Sequence, residues 1–175
     1  MNREKTGHQK RIEKFMRLAN QDIPCEPTEP TPEVRLLRAK LIFEEAMETI
    51  SALGVDVMID QMYAQHGPVA LHEGNHKLVV NPRRKFDMIE VADGCADVSV
   101  VTIGTLSACG IADKPLLKEV DESNLRKFAP GCSKRDDGKW IKPPDWKVPD
   151  IAKVLNEQMQ SISVSVSAPE CQSES

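Results

Sequence analysis

The 175 residues suffice for one domain and not comfortably for two, and 40% apolar with 29% charged residues is the balance of a soluble globular protein. With aromatics at only 4%, the core must be Leu, Ile, Val, Met and Ala, which suits packed helices better than a β-sandwich. A net charge of −4 argues against a dedicated nucleic-acid surface, though not against a phosphorylated small molecule, because a bound cation inverts the local sign.

In chain order, residues 8–20 read as a short amphipathic helix with Ile12, Phe15, Met16 and Ala19 on one face. Four prolines in 24–32 make that segment an extended connector. Pro32 suits a first helical turn with Thr31 as its cap, and the helix over 33–53 carries Leu37, Leu41 or Ile42, Ala46, Ile50 and Leu53 at helical spacing. Gly54 is its C-terminal stop.

Residues 65–85 read as a long excursion with one short apolar run, Leu78–Val80, and a small β-element there. A second long helix spans about 86–109, stopped by Gly110. Gly94 inside it costs roughly 1 kcal/mol relative to Ala, so a ligand or another helix is expected to approach closely there. Further helices are expected over 115–128, opened by Pro115, and over 149–158, with a Gly/Pro/Lys-rich loop over 129–149. Residues 1–160 are expected to form the folded domain and the Ser-rich 161–175 a disordered tail.

The five cysteines, Cys25, Cys95, Cys109, Cys132 and Cys171, are odd in number and include no CxxC pair. They read as reduced thiols, neither a disulfide frame nor a zinc site. No stretch is long and apolar enough for a bilayer, and the N-terminal MNREKTGHQKR is polar. The expectation is a cytoplasmic protein without membrane or nucleic-acid partners. His66, His72 and His76 read as loop histidines.

The chemistry sits on the two long helices. Glu44, Glu45 and Glu48 share one face of the first, Glu44 and Glu48 about 40° apart and Glu45 and Glu48 about 60°. On the second, Glu90, Asp93 and Asp97 fall at i, i+3 and i+7, among Ile89, Ala92, Ala96, Val98, Val100 and Val101. Acids on the edge of an apolar face become partly buried when the face packs, and an unpaired buried carboxylate is costly. A single EExxE is most often a solvated face; two acidic clusters on two apolar helices are harder to dismiss. Packed antiparallel, the helices would aim several carboxylates at one point, and oxygen-only donors select Mg²⁺ or Mn²⁺.

The pattern LIFEEAMETI followed by VADGCADVSVVTIGTL resembles the MazG-like all-α NTP pyrophosphatase superfamily, whose signature is EExxE on one helix and ExxD on the next. The fragments KFMRLANQ, RAKLIFEE, EVDESNLRKF and DGKWIKPPDW…PDI are similar to its phage and bacterial branch, so that the resemblance covers roughly residues 10–155. It implies an all-α helical bundle, a homodimer or dimer of dimers (a homotetramer), and hydrolysis of a nucleoside triphosphate to a monophosphate and pyrophosphate with two or three Mg²⁺ or Mn²⁺ ions.

Carried over by position, the resemblance implies Glu45, Glu48, Asp93 and Asp97 as metal ligands, with Glu44 or Glu48 as the base acting through a bound water. The family's second-motif glutamate falls at Gly94, so Asp93 is the expected replacement; the alternative is a motif shifted to Glu90 and Asp93. Asn124 and Lys127 match phosphate- or metal-contacting positions, and Lys139 and Lys142 lie in a loop able to reach a triphosphate. Arg35, Arg38, Arg83 and Arg84 are further phosphate-neutralising candidates. Trp140, Trp146, Phe15 or Tyr63 could stack on a base and Asn20, Gln21, Asn75 or Asn81 could read its edge, although packing of the C-terminal loop is the better account of both tryptophans. Likeness to the phage branch leans towards dGTP or GTP. The competing readings are a dCTP or dUTP pyrophosphatase, a phosphoribosyl-ATP pyrophosphohydrolase, and a non-enzymatic helical interaction module.

Overall fold

The computed structural model describes residues 3–59, 76–128, 130–136, 140–141, 143 and 146–166. Its elements are α1 (Gly7–Leu18), α2 (Pro32–Ala52), β1 (Val55–Ile59), β2 (His76–Val80), α3 (Met88–Ala108), α4 (Asp113–Leu125) with a 3-10 turn over Arg126–Phe128, β3 (Ser133–Lys134), β4 (Trp140–Ile141) and α5 (Ile151–Val166). The all-α expectation holds, since the strands are short and pair only in two two-stranded ladders. Among the described residues no single helix is long and apolar enough to cross a membrane. The chain divides into two units, one from the described residues of 1–31 and 103–175, the other from those of 32–102.

In the first unit, the Thr6 hydroxyl caps α1 by accepting from Gln9 N, and the helix ends in a left-handed residue, Asn20, at φ 55°. Asn20 N donates to Arg17 O and Gln21 N to Met16 O, the paired bonds of a Schellman stop. Asn20 is therefore used structurally. Helix α3 stops the same way: Gly110, at φ +69°, donates to Ser107 O and Ile111 N to Leu106 O. A Cβ at Gly110 would overlap the Glu26 carbonyl, because the proline connector lies against it and Thr28 N bonds Cys109 O.

The core of this unit is partly polar. Ile12 and Met16 are buried as expected, but Phe15 is 64% exposed and Gln9 and Glu13 are buried instead. Gln9 donates to Ser107 Oγ and Ile111 O and accepts from Asp113 N. The Asp113 carboxylate accepts from the Thr6 backbone and hydroxyl. Gln158 of α5 accepts from Ala112 N and donates to Ala112 O, at 2.9 and 3.0 Å. The buried side chains of Gln9, Asp113 and Gln158 thus meet partners, as burial demands. Helix α5 runs past its expected end at 158, so the Ser-rich segment expected to be disordered is helical as far as Val166; 167–175 lie outside the described residues.

Trp146 donates from Nε1 to Ser123 O, and Phe128 meets Trp140 edge to face at 5.1 Å. Both tryptophans are thus engaged in packing the C-terminal loop.

In the second unit, α2 starts at Pro32 and gives way at Gly54, which is left-handed at φ +75°. Strand β1, rich in β-branched residues, pairs antiparallel with β2 from Val55↔Val80 to Ile59↔His76. The sequence reading found only the second strand's apolar run, and His76 lies in a strand, not a loop. Asp87 caps α3, its Oδ1 accepting from Ile89 N and Glu90 N, and its own N donates to Ala52 O at the end of α2. The apolar face expected on α2 is at most half-buried, with Leu37 and Leu53 exposed.

Candidate functional site

Helices α2 and α3 meet where Gly94 faces Thr49. A Cβ built on Gly94 would stand 2.5 Å from Thr49 Oγ1 and 3.2 Å from Thr49 Cα. Only a glycine permits this approach, which is the close contact the sequence reading expected of it. Thr49 is itself held, its hydroxyl donating 2.7 Å to Glu45 O one turn back. The crossing also explains the departure from the family pattern: a glutamate at position 94 has no room between the helices.

The acids lie around this crossing. The Glu45 carboxyl, half-buried, is pushed above the ordinary glutamate value, first by lost hydration and then by the negative charges of Asp97, Glu48, Glu44 and Asp93. The structure thus brings Glu44, Glu45, Glu48, Asp93 and Asp97, from two helices, into one electrostatic cluster. Glu45 and Asp97 are half-buried, whereas Glu44, Glu48, Glu90 and Asp93 are exposed. The deeper burial expected of them is not found, because Ile89, at 79% exposure, Ala92 and Ala96 also stand open. Glu90 does not bear on Glu45; it lines, with Met47, Glu48, Ser51 and Ala52, an open cavity of about 460 Å³.

Among the described residues, none of these six carboxylates is ion-paired to a Lys, Arg or His. No three of them close into a metal-holding group as they stand, since exposed like charges on a helix face hold apart. The chemistry of the donor set, all carboxylate oxygen and without an ion-paired cation among the described residues, fits a hard divalent cation.

Lys127 donates to Asn124 Oδ1 at 2.7 Å and its ammonium lies 5.8 Å from the centre of the Trp146 ring, so these two candidates are brought to each other in the first unit. Arg38 is buried at 8% exposure, which leaves little of it for an open site. Lys139, Lys142, Tyr63, Asn75, His66 and His72 lie outside the described residues. Asn81 is committed to the fold, donating to Asp56 and accepting from Arg83 N.

Arg84 was among the phosphate-neutralising candidates; what the sequence reading did not find is its partners, Asp56 and Ser51. Its Nε donates to Asp56 Oδ1 at 2.7 Å and its Nη1 to Ser51 Oγ at 2.6 Å. Nothing local marks this trio, because Ser51 and Arg84 are joined only once β1 and β2 have paired.

No curated protein matches the sequence closely enough to count as a relative. The phosphoribosyl-ATP pyrophosphohydrolase family matches residues 12–124, more than half of the chain. The match takes in α2 and α3 with all six carboxylates and ends at Asn124, short of Lys127, Lys139 and Lys142. The chain therefore belongs to the phosphoribosyl-ATP pyrophosphohydrolase family, within the MazG-like all-α NTP pyrophosphatase superfamily, and is a pyrophosphohydrolase.

Proposed function

We propose that this chain hydrolyses a nucleoside triphosphate between its α- and β-phosphates, giving a monophosphate and pyrophosphate, with guanine nucleotides, dGTP or GTP, as the first candidates. The observation that carries the reading is that the negative charges of Asp97, Glu48, Glu44 and Asp93 all bear on Glu45, with none of them ion-paired among the described residues. Such a cluster is unfavourable alone and becomes favourable around Mg²⁺ or Mn²⁺. Glu45, Glu48, Asp93 and Asp97 would hold the ions, and five carboxylates exceed what one ion needs, so two or three is the proposed number. When bound, these ions polarise phosphate oxygens and lower the pKa of the attacking water.

The chain's own residues do the rest. Glu48 lines the cavity beside α3 and would accept the proton of the attacking water, with Glu44 the alternative acceptor. The bond from water oxygen to the α-phosphorus forms as the bond to the β-phosphate oxygen breaks, and the proton goes to the carboxylate. Asn124, Lys127, Lys139 and Lys142 remain candidate phosphate contacts on the family resemblance. The second unit also exposes Leu36, Phe43, Val80, Met88 and Ile89, a surface that supports a homodimer or homotetramer.

The family match favours a second reading, phosphoribosyl-ATP as substrate, which the same carboxylates would serve. Product analysis separates them. The protein is incubated with each common NTP and dNTP and with phosphoribosyl-ATP, with Mg²⁺, Mn²⁺ or EDTA. Metal-dependent release of a monophosphate and pyrophosphate is expected, the fastest substrate naming the base. Orthophosphate release would refute the bond assignment, and full turnover by Glu48→Gln or Asp97→Asn would refute the metal ligands. With no turnover, a Mn²⁺ thermal shift distinguishes a metal site from an interaction module, because a ligand of the folded state alone must stabilise it.

A further inference from the structure

A polyphosphate entering the cavity between Glu48 and Glu90 meets negative charge on both walls. One turn along α2 from Glu48, on the same side, the wall is Ser51, and Ser51 is where the Arg84 guanidinium is tied. Arg84 is fixed at both ends. Its backbone N donates to Asn81 O, and Asn81 N in turn donates to Gly54 O at the close of α2. Asp56 holds its Nε, and Asp56 is steadied in turn by Asn81 Nδ2 at 2.6 Å.

A guanidinium offers five N–H donors in a planar fork that pairs with phosphate. Asp56 and Ser51 engage Nε and Nη1; among the described residues Nη2 has no partner, and the side chain is 48% exposed. The guanidinium is thus held against Ser51 of the cavity wall by a two-point hold that a lysine could not use.

We infer that Arg84 is the protein's own phosphate-binding cation at this site, receiving the β- or γ-phosphate that leaves as pyrophosphate, with Asp56 as its positioning residue. The inference rests on the triphosphate reading above and deepens it. Because the guanidinium is oriented before substrate arrives, binding need not order it.

The test is calorimetric titration of magnesium pyrophosphate into the wild type, Arg84→Gln and Arg84→Lys, with circular dichroism melts as the folding control. Arg84→Gln is expected to weaken pyrophosphate binding at least tenfold and to lower kcat/KM for the triphosphate at least tenfold, while inhibition by the monophosphate product is unmoved. Asp56→Asn should shift both readouts in the same direction by less. If Arg84→Gln does not fold, Arg84→Lys decides, with binding expected to weaken severalfold. Wild-type pyrophosphate affinity in either folded variant overturns the inference. Pyrophosphate binding lost in Arg84→Gln, in a protein that hydrolyses no triphosphate, would uphold Arg84 and sink the proposed reaction instead.

Discussion

Replacing Gly94 by alanine should separate activity from stability. The added methyl would stand 2.5 Å from Thr49 Oγ1, and reaching an ordinary 3.4 Å contact requires about 0.9 Å of movement. The hydroxyl cannot simply turn away without giving up its bond to Glu45 O, and Thr49 Cα, at 3.2 Å, is backbone. Overpacking of this kind costs about 1–3 kcal/mol. Alanine returns about 1 kcal/mol of helix propensity, leaving a net loss of roughly 0–2 kcal/mol. At about 2–4 °C per kcal/mol for a chain of this size, the melting temperature should fall by no more than about 8 °C. Turnover should suffer far more. Moving α3 off α2 by most of an ångström displaces Asp93 and Asp97 from Glu45, and misplacements near 1 Å cost on the order of 100-fold in rate. Steady-state hydrolysis of the best substrate, alongside a thermal melt, measures both. Thr49→Ala added to Gly94→Ala removes the worst contact and should recover much of the activity. A Gly94→Ala enzyme with wild-type turnover, or a double variant no better than the single, would show that the crossing does not position the carboxylates.

Glu45 gives a pH prediction. Its folded-state pKa is raised, so its ionised form is disfavoured in the fold and costs stability above that raised value; the cost fades as pH falls through it towards the ordinary 4.5. Glu45→Gln should therefore melt higher than wild type at pH 7 and lose that advantage at acid pH, while abolishing turnover. Gly110→Ala forces a left-handed alanine against the Glu26 carbonyl, and chemical denaturation should register a loss of about 2–4 kcal/mol. Gln158→Ala strands the buried N–H of Ala112, and the same assay should give a loss of about 1–3 kcal/mol.

Punctuation residues made most of the helical frame legible. Pro32, Gly54, Gly110 and Pro115 act through fixed backbone preferences that neighbours do not alter, and the helices begin and end within a few residues of them. Gly94 was legible for the same reason. The hairpin was not, because Val55–Ile59 follows a helix directly and is a strand only by virtue of His76–Val80, which the intervening chain separates from it. The polar core of the first unit was invisible too: Gln9, Ser107, Asp113 and Gln158 look like surface residues until the fold pairs them. Their burial depends on partners about a hundred residues apart for Gln9, which no local pattern encodes. The acidic faces of α2 and α3 were readable from helical periodicity and Arg84 was among the phosphate candidates, whereas its hold by Asp56 and Ser51 depends on strand pairing and was not.

The ladder between β1 and β2 returns the chain, at Val55 and Val80, to nearly the place it left. Asn81 then bonds Gly54 and Asp87 bonds Ala52, so α3 is launched from the very end of α2. The spacing of the two acid-bearing helices is consequently set before the tip of the hairpin is counted. Doubling the length between Ile59 and His76 would add only about 0.6 kcal/mol of closure entropy. The length of that connection can therefore change while the Asn81–Gly54 and Asp87–Ala52 bonds keep the two acid-bearing helices in register. The hairpin is, in that sense, an exchangeable fitting on a fixed mount.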